Sequence, residues 1–253
     1  MFGTYFYNKN IRNIVILFGT VFNDISVRRV DNSNVVQEEF KVPIAYGPSE
    51  KFLVRLRQLT DVSKGKVGIT LPRMSFEFTS ITYDPARKLQ TTKKHKKVKD
   101  ADNEKLITVY NPVPYNFDFT LSVMVKNSDD GTQILEQILP YFTPEYQVTM
   151  VEMSTMGIKR DIPIIFTGLS TEDSYEGDFL TRRALIHTLT FVVQGFLYGP
   201  TSDIGVIREV DVNEYDGLAT NAGQLRNTDV KPDPLTADAD DDYGYTTTQT
   251  DKY

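Results

Sequence analysis

YNFDFTLSVMVKNSDDGTQILEQILPYFTP, residues 115–144, is the run from which the fold is read. Phe117, Phe119, Leu121, Val123 and Val125 alternate with Asp118, Thr120 and Ser122. A period of two sustained from 117 to 125 predicts a strand with one buried face. SDDGT then turns the chain, and Asp130 followed by Gln133 resembles a capping box, a device worth about 0.5–2 kcal/mol to a helix start. Ile134, Leu135, Ile138 and Tyr141/Phe142 form an apolar helical stripe, and Pro140 and Pro144 end it. Glu145–Met153 resumes a β pattern. The whole reads as a sheet with a short helix stapled between its strands.

Working outward, Ile11, Ile14, Val15, Phe18, Val21 and Phe22 lie on one helical face, with Asn8 or Asn10 as candidate cap. Gly19 costs that helix about 1 kcal/mol relative to Ala, which suggests that a neighbouring backbone approaches there. Asp24–Val30 and Val35–Tyr46 read as strands, with Pro43 pointing to an edge. Phe52, Leu53, Leu56 and Leu59 mark a second helix starting near Gly47 or Ser49, followed by β-like runs at 67–71 and 74–83. In the latter, Met74, Phe76 and Phe78 share one parity while Ile81 and Tyr83 take the other, so a bulge or strand end is expected. Residues 84–105 break the periodicity and read as a long loop or hairpin tip. Asp161–Leu169 and 182–198 are strands, and the last is apolar on both faces, so both must be covered by helices or by a neighbouring subunit. The pattern predicts an α+β fold: a mostly antiparallel β-sheet flanked by about three helices in a single domain, residues 1–205, with a long basic loop at 84–105. Residues 206–253 are expected to be an acidic, extended or partly disordered C-terminal segment.

Charge separates along the chain. Of 34 acidic residues 11 fall in 209–253, against only 3 of the 28 basic ones, so the remainder of the chain is slightly basic despite a net charge of −6. Arg87, Lys88, Lys93, Lys94, Lys96, Lys97 and Lys99 crowd into residues 87–99. They are candidate contacts to a partner or to phosphates, although the aromatic interleaving of single-strand binders is absent. With no cysteine there is no disulfide framework, no thiolate metal site and no thiol nucleophile, and folding in a reducing cytoplasm is the default. The apolar run Ile14–Phe22 is too short to span a bilayer, so no membrane association is expected.

The search for catalysis finds little. His95 and His187 are the only histidines, one among lysines and one in mid-strand. The nucleophile-elbow, zinc-protease, phosphate-loop and dinucleotide signatures are missing, and Ser63–Gly68 has its lysine and glycines in the wrong order. Glu172, Asp173, Glu176 and Asp178 read as a solvated hairpin loop before they read as a cation site. No enzyme, metal or cofactor is expected.

Several blocks in order carry a family resemblance: MFGTYFYN (1–8), VPIAYGPSEKF (42–52), LPRMSF (71–76), YNPVPYNFDFTLSV (110–123), ILEQILPYFTPEYQVTM (134–150), KRDIPIIF (159–166) and EGDFLTRRALIHTLTFVVQGFLYGP (176–200). Over roughly residues 1–200 the chain resembles the tail completion and sheath stabiliser proteins of contractile-tailed bacteriophages of the T4 type. The lysine-rich loop and the tail after about 205 depart from that pattern. The resemblance implies a structural virion protein, assembled in the host cytoplasm and located at the head-proximal end of the tail. There it would form a homo-hexameric ring that caps and stabilises tube and sheath and connects the tail to the neck. Implied partners are the tail sheath protein, the tube or tube terminator protein and the neck proteins, with genomic DNA passing through the ring lumen. A six-fold ring requires a heterologous interface. Phe2, Tyr5 and Phe6 at the aromatic N-terminus, Arg182 and Arg183 beside the acidic turn, and Phe196 on the two-faced strand are its candidate residues. The alternatives are another ring component, such as a tube terminator or neck protein, and a DNA-binding protein acting through the lysines.

Overall fold

The computed structural model describes residues 5–31, 35–57, 70–99, 102–174, 184–205, 207–217, 223–237 and 241–251. The elements are α1 (Asn10–Val21), β1 (Ser26–Val30), β2 (Val36–Lys41), β3 (Ile44–Tyr46), α2 (Ser49–Arg57), β4 (Arg73–Tyr83), β5 (Lys94–Lys99), β6 (Asp102–Tyr110), β7 (Val113–Val125), α3 (Ser128–Ile138), β8 (Glu145–Met153), β9 (Ile158–Ser174), β10 (Ala184–Leu197), β11 (Ser202–Gly205), β12 (Val210–Tyr215), β13 (Gln224–Asp233) and β14 (Gly244–Asp251). Short 3₁₀ turns occupy Pro85–Arg87 and Leu139–Tyr141. The fold is α+β and mostly antiparallel. The chain divides into two compact units, a larger one of residues 7–89 and 113–197 and a smaller one of residues 1–6, 90–112 and 198–253.

The larger unit is built on a six-stranded sheet of order β3-β4-β7-β10-β9-β8, in which only the β3–β4 pair is parallel. β7 and β10 pair without a register shift from Val113↔Leu197 to Val125↔Leu185, which sets Phe119 opposite Phe191 and Leu121 opposite Leu189. The period-two residues Phe117, Phe119, Leu121, Val123 and Val125 are all essentially inaccessible to solvent. On this face α1 contributes Ile14 and Phe18, the residue that caps its end, Phe22, joins them, and α3 contributes Ile134 and Ile138. Phe18 is the hub: its ring stacks on Phe119 at 4.4 Å and meets Phe22, Phe76 and Phe191 within 5.6 Å. Gly19 admits this packing, since a Cβ there would lie 2.7 Å from the Phe76 ring. The close neighbour is thus a side chain. On the opposite face Phe52 of α2 packs with Met124 and Ile186, so the two-faced strand β10 has helical cover on both sides. The parity change in β4 is a bulge between Phe78 and Ser80, and Pro43 lies in the gap between β2 and β3, where its carbonyl accepts from the Met74 N–H.

Two expected caps are replaced. Lys9, at φ 60°, precedes α1 and provides no side-chain cap, while Asn10 is buried, and with its amide turned to face the acceptors its nitrogen donates to the carbonyls of Asn8 (3.0 Å) and Glu152 (2.8 Å). The capping box at 130–133 does not form: Asn127 occupies the cap position without a side-chain bond. Asp130 instead points into the fold and pairs with Arg29 at 3.1 Å. Gln133 Oε1 accepts from the Arg28 N–H, and Gln137 accepts from the Ser26 N–H and donates to the Ser26 carbonyl. Helix α3 thereby satisfies one edge of β1, whose other edge is paired to β2. These tertiary partners outcompete the local cap.

In the smaller unit the expected loop over 84–105 is largely strand. β5 and β6 form a hairpin whose sheet, order β11-β6-β5, is completed by β11. Strand pairing here rests on β6, where Leu106 and Val109 are buried, while the lysines occupy the edge strand, a position that tolerates charge. The polar segment expected to be extended or partly disordered likewise carries strands in its described residues: β12, β13 and β14 form an antiparallel sheet in that order. Thr246, Thr247, Thr248, Thr250 and Tyr245 are β-favouring residues in an otherwise acidic, core-poor sequence. The β-like run at 67–71 falls mostly outside the described residues.

Candidate functional site

The basic residues separate into two groups. Asp84-Pro85-Ala86-Arg87 forms a corner: Asp84 accepts from the Ala86 N–H at 3.0 Å and from Arg87 Nε at 2.7 Å, and Pro85 starts the 3₁₀ turn. Arg87 also donates to the Tyr115 carbonyl (3.1 Å) and Asn116 Oδ1 (2.8 Å), and its guanidinium lies 5.2 Å from the Phe196 ring centroid. Its guanidinium holds the Asp84 carboxyl below the usual carboxylate range. Arg87 is therefore a positioning residue of the larger unit. The adjacent Lys88 is exposed.

The five remaining lysines, Lys93, Lys94, Lys96, Lys97 and Lys99, belong to the smaller unit. On β5 the side chains of 94 and 96 point to one face and those of 97 and 99 to the other. The Lys94 ammonium sits 4.6 Å from the Tyr110 ring centroid, and Lys99 reaches Asp203 of β11 at 2.6 Å. Lys88, Lys93 and Lys96 make no ion pair among the described residues. The sheet β12-β13-β14 presents the opposite charge, with Asp211, Asp229 and Asp233 on one face. Ion pairs Arg226–Asp251 (2.8 Å) and Lys231–Glu209 (3.0 Å) tie it together, and the Glu209 carboxylate raises the pKa of Lys231.

The aromatic candidates also diverge. Tyr5 is 93 % exposed and Phe6 49 % exposed. Phe196 is 8 % exposed, with the Arg160 guanidinium 4.2 Å from its centroid, and Arg160 in turn pairs with buried Glu152 at 3.1 Å. Phe196 therefore packs inside its own subunit. Phe2, Arg182 and Arg183 lie outside the described residues, as do Glu176 and Asp178 of the acidic turn. An open groove of about 560 Å³ between the end of α1 and the end of α3 is lined by Phe22, Ile25, Ile138, Tyr141, Phe142 and Tyr146.

His187 is buried, bonded through Nδ1 to Thr171 Oγ at 3.0 Å, and desolvation holds its pKa below the ordinary value. It is a neutral packing residue at the foot of α3. Among the described residues no three His, Asp or Glu side chains gather as a metal site, and no helix is long and apolar enough to cross a membrane. The Asp130–Arg29 and Glu152–Arg160 pairs were invisible in the sequence, because each joins an acid to a base brought near only by the fold.

A family model described as the T4-like virus Myoviridae tail sheath stabiliser matches residues 5–252. The match runs through the acidic C-terminal segment, which therefore belongs to the family pattern and does not depart from it after residue 205. The chain is also 33 % identical to the "Tail completion protein gp15" of Enterobacteria phage T4 over 252 residues, covering 95 % of this chain and 90 % of that protein. The chain belongs to the tail sheath stabiliser family of T4-like phages, structural proteins of the contractile tail.

Proposed function

We propose that this chain forms a hexameric ring at the head-proximal end of the tail, where it terminates and stabilises tube and sheath and offers the neck a docking surface. The family membership supports a stabilising role in the tail. The observation that carries the ring is the exposure of the N-terminal aromatic run: Tyr5, Phe6 and Tyr7 are 93 %, 49 % and 57 % exposed. An aromatic cluster left in water marks a protein contact. The role is mechanical, with no substrate, metal or cofactor. Its partners are further copies of the chain, the sheath protein, the tube or tube terminator and the neck proteins, with genomic DNA passing through the lumen.

Light scattering with negative-stain imaging of the isolated protein tests the ring, and the expected result is six-fold particles. Co-sedimentation with extended sheath or with bare tube distinguishes a sheath stabiliser from a tube terminator. DNA binding through β5 is the weaker reading, because its lysines alternate between two faces and Lys94 and Lys99 are engaged within the sheet. Affinity for duplex DNA that falls steeply with salt would revive it.

A further inference from the structure

We propose that the free edge of β5 in one subunit pairs with the free edge of β14 in the next. The contact would fuse β11-β6-β5 and the neighbour's β14-β13-β12 into one six-stranded intersubunit sheet. The inference rests on the ring reading above and names the strands that close it.

Among the described residues no third strand pairs with either edge: β5 is hydrogen-bonded to β6 and β14 to β13. All eight residues of β14 are exposed, its pairing with β13 has no register shift, and its sequence GYTTTQTD contains neither lysine nor proline. Proteins normally blunt such an edge with charge, proline or a bulge, because its unpaired N–H and C=O groups invite another strand. β14 has no proline or bulge and carries a single charge, at its last residue Asp251, whereas β5, KHKKVK, has charge in abundance.

Charge selects the pairing. Two β5 strands side by side would set lysine against lysine, and two β14 strands would join two acidic sheets, both unfavourable arrangements. The mixed pair is the attractive one. Distance permits it as well, since Lys99 of β5 already reaches Asp203 of β11 across the intervening β6. With β14 added on the other side, Asp229 (opposite Thr248) and Asp233 (opposite Gly244) would stand the same two strands away from β5. An extended sheet also accounts for lysines of both parities on β5, which a phosphate track along one face does not. The contact uses two different edges, so it cannot satisfy itself in a dimer and instead propagates head to tail until a ring closes.

The chain has no cysteine, so engineered pairs read the contact directly. The full-length protein would carry Lys96→Cys with Thr246→Cys, Thr248→Cys or Thr250→Cys, to sample registers. Mild oxidation should give at least one variant a covalent ladder ending at the hexamer on non-reducing gels, while each single-cysteine variant stays uncrosslinked. Separately, Lys93→Glu with Lys96→Glu, both at exposed positions, should raise the concentration for half-assembly at least tenfold without moving the thermal midpoint. An intact ring that shows no ladder with any pair and ignores the charge reversal would overturn the β5–β14 contact while leaving the ring standing. A wild-type protein that stays monomeric at every concentration would overturn the ring itself, and this contact with it.

Discussion

Gly131 sets how closely α3 approaches the sheet. A Cβ at this position would lie 2.6 Å from His187 Nε2 and 3.2 Å from Val125 Cγ2. Gly131→Ala is expected to lose about 1–3 kcal/mol in denaturant unfolding, the usual cost of overfilling a packed site. His187 itself makes stability depend on pH. Its folded pKa lies below the ordinary 6.5, so below that pH the unfolded chain takes up a proton that the folded chain resists. Stability is complete above about pH 6.5 and declines as the pH falls through the interval down to the folded pKa. Thermal midpoints of the wild type between pH 7.5 and 5 should therefore fall more than those of His187→Gln, and parallel curves would reject the assignment.

Helix α1 is the element whose loss the larger unit would feel most, because Phe18 contacts four other rings at the centre of the core. Phe18→Ala should cost about 3–5 kcal/mol, measurable as a shift of the denaturant midpoint at unchanged slope. Helix α3 acts differently, as a side-chain cover for a strand edge. Replacing Gln133 and Gln137 together by alanine removes acceptors from the Arg28 and Ser26 N–H groups and should cost about 1–2 kcal/mol, moderated because water reaches this exposed site. Amide exchange at residues 26 and 28 should accelerate in that variant and stay unchanged elsewhere in the sheet.

The whole molecule separates its tasks. Among the described residues the core cluster of the larger unit draws on none beyond Leu197. A chain ending at Arg208 should therefore keep the near-ultraviolet signature of the packed phenylalanines, yet sediment as a monomer at concentrations where the full chain assembles. A truncated chain that still forms rings would place the interface elsewhere. The distribution of charge supports the same separation, with the acidic sheet β12-β13-β14 and the basic strand β5 both in the smaller unit.

How much of this was legible in the sequence follows from the range of the interactions concerned. Periodicity is local, so the strand 117–125, the helical stripes of α1 and α3, the parity change in β4 and the two-faced character of β10 could be read directly, together with the α+β class and the tail-protein family that the order of blocks implied. Choice of partner is not local. Asp130 could cap its own helix or meet Arg29, 101 residues away, and only the packing of α3 along β1 decides for the arginine. Arg87 and Phe196 looked like surface candidates because neither sequence neighbourhood reveals that the corner at Asp84 brings them together. The lysine run had no strand signature because an edge strand in a small sheet owes its structure to the ladder beside it more than to its own side chains. The sequence by itself determined which faces must be buried and where charge accumulates. Only the tertiary structure decided which polar groups satisfy one another and which strand edges remain open, because hydrogen bonding and ion pairing between distant segments depend on distances that the fold alone creates.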